Sequence, residues 1–353
     1  MEAATATATE APEAPVRKRP FWYDGLAPYM KPSLRLSILD LLTSVVPFIA
    51  GWVAMYLALD VGYWLSLIIA IPTAGFLLCT FIVFHDCTHL SFMPTKRQNH
   101  IVGVFTGLLV FTPFARWGHQ HAVHHGTAGD IERRGTGDVE TATLGEYREM
   151  TPKQRALYRA FRNPAVMFTI GPIYSMLVMP RIVPKDARPR IKNSVILTNI
   201  ALAVVIAGLC VLVGPLTFLM LEFPVILMAG MAGVWLFYVQ HQFEDVYWEN
   251  SDDWSYADAA LRGSSYLKLP KIMQWFSGNI GLHHIHHLSA KVPNYHLQAA
   301  HDNNDIFDDV PVLTFWSSFR CTRFKLIDED TGRLLTWAEV RALEQAAPAT
   351  ELG

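Results

Sequence analysis

Lys and Arg are absent from Leu36 to Phe84 and again from Ser194 to Gln240, although the chain holds 29 of them. A bilayer crossing needs about 20 consecutive apolar residues, and apolar runs of that length fill both gaps. Leu39–Leu59 and Tyr63–Phe84 are parted only by Asp60-Val-Gly62; Ser194–Gly214 and Leu216–Gln240 are parted at Pro215. The pattern predicts an all-α integral membrane protein with four transmembrane helices, over 39–59, 63–84, 194–214 and 216–240, arranged as two hairpins. The far turns are too short to carry basic residues, so every Lys and Arg falls on one face. The positive-inside rule makes that face cytosolic. Four crossings then place both termini in the cytosol.

The organisation of the rest follows from this frame. Residues 1–20 are rich in Ala, Thr, Glu and Pro and are expected to be a disordered tail, without the apolar core of a secretion signal. Arg17-Lys-Arg19 beside Phe21-Trp-Tyr23 reads equally as an interfacial anchor or as part of a solvated tail. A membrane domain is expected over 21–310 and a cytosolic tail over 311–353. Ile101–Phe114 is too short to cross readily and reads as re-entrant or interfacial. Pro164–Pro180 follows Lys153, Arg155, Arg159 and Arg162 and reads as a helix at headgroup level.

Only 17% of residues are charged, against about 25% in soluble domains. With 51% hydrophobic residues, disorder of the whole chain is excluded. Nucleic acid is not an expected partner, because Lys+Arg 29 against Asp+Glu 31 leaves no basic excess. Cys79, Cys87, Cys210 and Cys321 stand far apart without CxxC spacing, which argues against a disulfide framework or zinc knuckle.

The 14 histidines are clustered. His85-Asp-Cys-Thr-His89 continues directly from the second span, and its i, i+4 pair lies on one helical face. His121, His124 and His125 have i, i+3, i+4 spacing, as do His283, His286 and His287, and His241 closes the fourth span. By the predicted topology all of them emerge at one membrane surface, which points to metal binding. Eight or nine imidazoles exceed the four ligands of a structural zinc site, so two ions are expected. Imidazole suits Zn, Cu, Fe or Ni. The HExxH pattern of zinc hydrolases is missing, and long apolar spans favour iron and oxygen chemistry on hydrocarbon. Asp86, Glu244 and Asp245 are candidates for holding imidazole tautomers, and each reads equally as an ordinary interfacial acid.

The three histidine clusters resemble the histidine boxes of the integral-membrane fatty acid desaturases, over about Asp24 to Ala300. Trp117 before the second box, Asn279-Ile-Gly-Leu before the third, Pro293-Asn-Tyr-His-Leu297 after it and Gln240-His-Gln-Phe-Glu-Asp245 resemble the acyl-lipid omega-6 (delta-12) subgroup. The resemblance implies two iron ions, O2 as co-substrate and reducing electrons from a separate protein such as ferredoxin or cytochrome b5. It implies a fatty acyl substrate, lipid-linked in preference to CoA-linked, threaded through a bent apolar tunnel and left with a cis double bond. Carried over by position, the ligands would be His85, His89, His121, His124, His125, His241, His283, His286 and His287, with Asn279 joining the outer candidates.

Three departures stand out. Thr88 occupies a place commonly held by Gly in the first box. Phe237 stands where stearoyl-CoA-type enzymes carry Asn. No His-Pro-Gly-Gly segment signals a fused haem domain. His119 and His284 are expected to be non-ligands, and His100, His296 and His301 solvated or outer groups. A hydroxylase or ketolase of acyl chains or carotenoids would use the same histidines. A non-catalytic metal transporter would need ionisable groups at mid-bilayer, whereas Glu222 lies near the end of its span.

Overall fold

The computed structural model describes residues 19–346, so all but the last two residues of the expected amino-terminal tail lie outside the described residues. Among the described residues, four helices are long and apolar enough to cross a membrane: Leu34–Ala58, Tyr63–Thr88, Pro189–Val213 and Pro215–His241. At about 1.5 Å per residue, helices of 25 to 27 residues exceed the roughly 30 Å hydrocarbon thickness. The helices outrun the apolar windows because the hydrogen-bond ladder continues until a cap ends it. Ser33 caps the first helix by accepting from the Leu36 N–H, so the helix starts at Leu34, five residues before the apolar run. The second continues to Thr88 and carries His85 on its last turn.

The first two long helices pack against each other, and the last two do the same. Gly51 allows close approach in the first pair, since a Cβ there would stand 2.3 Å from Thr73 Oγ1. Ser66 Oγ donates to Met55 O at 2.7 Å across the same pair. Trp52 Nε1 donates to Glu222 Oε2 at 2.9 Å and the Tyr63 hydroxyl to Met220 O at 3.0 Å, joining the two pairs. The second helix is central, with 56% of its apolar window buried, whereas the third has 11% buried and presents its side chains outward.

The run Ile101–Phe114 belongs to two helices, Lys96–Leu109 and Phe114–Thr127, bent by 101°. A break among apolar helices must find protein partners for its freed backbone groups. Ser194 Oγ accepts the Ala115 N–H at 3.0 Å, Gly107 O accepts the Thr112 N–H at 2.7 Å, and Arg181 donates to Phe111 O. Pro164–Pro180 is also irregular: an α-helix to Pro172, a π-turn over Ile173–Val178 and a 3-10 turn over Met179–Arg181. It lies against the fourth long helix, where a Cβ on Gly230 would meet Pro172 Cβ at 2.8 Å.

The remaining described residues form a cap of short helices and two small sheets. Strand Tyr266–Lys268 pairs in parallel with Val312–Thr314, and Phe324–Ile327 pairs antiparallel with Leu334–Thr336. The described part of 311–353 is therefore folded into the cap, ending in helix Trp337–Ala346. Arg162, fully buried, joins cap and bundle. It donates to Gln242 Oε1 at 2.8 Å and to Phe324 O at 3.1 Å, beside the end of the fourth helix.

Candidate metal centre

Four elements deliver the histidines. The last turn of Tyr63–Thr88 presents His85, and His89 is its C-cap. Phe114–Thr127 carries His121, His124 and His125; Pro215–His241 ends on His241; and the short helix His283–Leu288 carries His283, His286 and His287. The helical spacings hold, but the second and third histidine clusters are each divided between two groups. His85, His89, His121 and His286 form one group, and His124, His241, His283 and His287 form another. His125 stands between them, with Nε2 3.1 Å from His121 Nε2 and its ring stacked on His287 at 4.2 Å.

The Nε2 atoms converge. In the first group His85 and His121 stand 2.9 Å apart, and His121 and His286 3.4 Å. In the second, His241 and His283 stand 2.9 Å apart, His283 and His287 3.1 Å, and His124 lies 3.2 Å from both His241 and His287. Two nitrogens each roughly 2.1 Å from a common ion are about 3.0–3.4 Å apart for octahedral or tetrahedral angles. The spacing fits a metal.

The tautomers fit as well. Asp86 Oδ1 lies 2.8 Å from His85 Nδ1, Asp138 Oδ1 bonds His124 Nδ1, and Gly263 O lies 3.1 Å from His241 Nδ1. Each of these acceptors places the proton on Nδ1 and leaves the Nε2 lone pair free for a cation. His89 Nε2 is buried without any hydrogen-bond partner, as a ligand atom would be. Burial first, then the like charge of neighbouring imidazoles, pushes His89, His121, His125, His283, His286 and His287 well below the ordinary histidine range. They are neutral, the form that binds metal.

The other expected residues divide. Asp86 is buried against His85, whereas Glu244 and Asp245 are exposed, and Asp245 pairs with Arg333 at 3.7 Å. Asn279 donates to Asn294 O at 3.2 Å. His119 is exposed. His284 is fully buried but turned toward Phe307 and His301, outside both groups. Thr88 Oγ1 donates to His85 O at 2.7 Å, so its hydroxyl is spent on its own helix. Phe237 packs its ring 5.1 Å from His124 and 5.3 Å from His241.

Asp138 is the residue that sequence reasoning missed. Its weak signal is Gly137, at φ +82 and pressed against Gln120 O and His124, which holds the loop on the second-box helix. An apolar cavity of about 540 Å³ opens between the third and fourth long helices, and no histidine lines it.

Residues 61–317 match the family model "Fatty acid desaturase". A relative named "Fatty acid desaturase" from Bacillus subtilis (strain 168) is 42% identical over 92% of each chain. The chain belongs to the fatty acid desaturase family. More distant relatives of this desaturase include the "sn-1 oleoyl-lipid 12-desaturase" of Synechocystis sp., 28% identical over 63% of each chain. The "Omega-6 fatty acid desaturase, chloroplastic" of Spinacia oleracea is 26% identical over 63% of this chain and 49% of its own. The desaturase is thus an oxidoreductase with four apolar helices suited to a membrane and two histidine groups suited to metal.

Proposed function

We propose that this desaturase inserts a cis double bond at the delta-12 (omega-6) position of a lipid-linked fatty acyl chain. It uses two iron ions, O2 and two electrons from a separate redox protein such as ferredoxin or cytochrome b5. The observation that carries the reading is the convergence of eight imidazoles into two groups of four, with His125 between them. Bound there, iron supplies the oxygen activation needed to remove two hydrogens from unactivated carbons, with water as the other product.

The chain's own residues prepare that chemistry. Asp86, Asp138 and the Gly263 carbonyl aim the Nε2 lone pairs. Trp117 stacks on His121 at 4.3 Å, and Phe81 and Phe84 pack on Trp117, which keeps water from one side of the first group. Regioselectivity then becomes a matter of holding the right carbons against the centre. The delta-12 position is supported by the third-box surroundings and by the names of distant relatives. The basic residues clustered outside the two apolar pairs support a cytosolic metal centre with both termini on that side.

Expression in a host that lacks polyunsaturated lipids, followed by mass spectrometry of fatty acid methyl esters, tests the reading. Dienoic chains with a new bond at carbon 12 are expected. A new bond elsewhere removes the delta-12 assignment. Hydroxylated chains, or unchanged acyl chains with altered carotenoids, overturn desaturation.

A further inference from the structure

A hydrogen-bonded path leads from the first histidine group to the first long helix. Asp86 Oδ1 holds His85 Nδ1 at 2.8 Å, and Asp86 Oδ2 accepts the backbone N–H of Asn294 at 2.7 Å. The side-chain amide of the same Asn294 donates to Asp40 Oδ2 at 2.9 Å. Asp86 and Asn294 are 2% and 3% exposed. Asp40 lies on helix Leu34–Ala58 between Leu39 and Leu41. An acid on an apolar helix is costly to keep unless it has a fixed polar partner.

We propose that Asp40 and Asn294 are positioning residues for the first metal. Asp40 fixes the Asn294 side chain, the Asn294 N–H fixes the Asp86 carboxylate, and Asp86 aims the His85 Nε2 at its group. The inference rests on the reading of two metal ions. It assigns the support to one group alone, because the second has its own acceptors in Asp138 and Gly263. A purely mechanical role is separable as well. The Tyr295 hydroxyl accepts the Ser33 N–H at 3.1 Å and donates to Phe92 O at 3.0 Å, tying the start of the first long helix to the residue after Asn294 without touching Asp86.

The test uses the full chain in detergent, loaded anaerobically with ferrous iron and stripped stepwise by a chelator, with bound iron counted by mass spectrometry. Asp40→Leu and Asn294→Ala should each release one ion at about tenfold lower chelator concentration, the lower end of what loss of an outer partner costs. The other ion should stay at its wild-type step. The double variant should go no further than either single change, because both cut one path. Asp40→Asn retains an acceptor oxygen and should restore the step. Tyr295→Phe should lower the melting temperature and leave both iron steps in place. An unshifted first step, equal shifts of both steps, or a Tyr295→Phe shift as large as that of Asp40→Leu overturns the proposal. Wild-type protein that holds fewer than two ions overturns the two-metal reading and the proposal with it, a result visible before any variant is made.

Discussion

Asp138→Leu offers the cleanest measure of how much the second histidine group depends on its acceptors. The His124 side chain is 1% exposed and that of Asp138 8%, so water cannot replace the carboxylate. Burial pushes the Asp138 carboxyl up, but its hydrogen bonds to His124 and the Gly135 N–H outweigh that and hold it below the usual carboxylate range. Leaving the His124 Nδ1–H buried without an acceptor costs about 1–3 kcal/mol, which is roughly 5- to 150-fold in a binding constant. Outer partners of metal-bound histidines elsewhere are worth about 10–100-fold. The ranges overlap, so Asp138→Leu should weaken the second iron by about 10–100-fold. Asp138→Asn keeps an oxygen but loses the charge, and a neutral bond is roughly half as strong, giving about 3–10-fold. Chelator titration with iron counting reads both variants. Wild-type affinity in Asp138→Leu, or equal losses from both groups, would refute the assignment of Asp138 to His124.

Other expectations follow from burial and packing. His284→Leu should keep two irons per chain, because the ring lies outside both groups and faces Phe307 and His301; loss of an iron would make it a ligand. Gly103→Val puts a Cβ 2.2 Å from the Phe114 ring and 3.0 Å from Cys87 Cβ. That overpacking should cost about 1–3 kcal/mol, read as a lowered melting temperature. Arg162→Met strips donors from Gln242 and Phe324 O and should destabilise the cap by about 3 kcal/mol or more; an unchanged melting temperature contradicts that role. In metal-stripped protein the lowered histidines His89, His121, His125, His283, His286 and His287 are neutral when folded, while the unfolded chain protonates near pH 6.5. The unfolded state then binds more protons, so stability is full above about pH 6.5 and falls as pH drops below it. A melting temperature that holds or rises toward pH 5 would contradict this.

The gaps in Lys and Arg made the four long helices legible because bilayer transfer is a local property of composition. The helix ends were not, since capping by Ser33 and continuation to Thr88 owe nothing to hydropathy. Helical spacing put His121, His124 and His125 on one face, yet it could not say that His121 and His124 serve different groups. That division depends on which of two neighbouring elements each ring meets. Chain adjacency was a poor guide to the acids. Asp86 directly follows His85, and Glu244 and Asp245 follow His241 by three and four residues, so nearness in sequence favoured all three alike. The chain turns outward after His241, with Asp245 at φ +58, and both acids reach the surface. Asp138 and Asp40 come from segments 14 and 45 residues from the histidines they support, a distance no local pattern bridges.

The same long-range assembly carries an energetic consequence. Each group joins the end of one central membrane helix, second or fourth, to helices Phe114–Thr127 and His283–Leu288. Metal that binds this folded arrangement and not the unfolded chain adds its binding free energy to folding. Two ions bound as proposed would fasten the two membrane pairs to the short helices that carry the other histidines, in addition to any chemistry they supply.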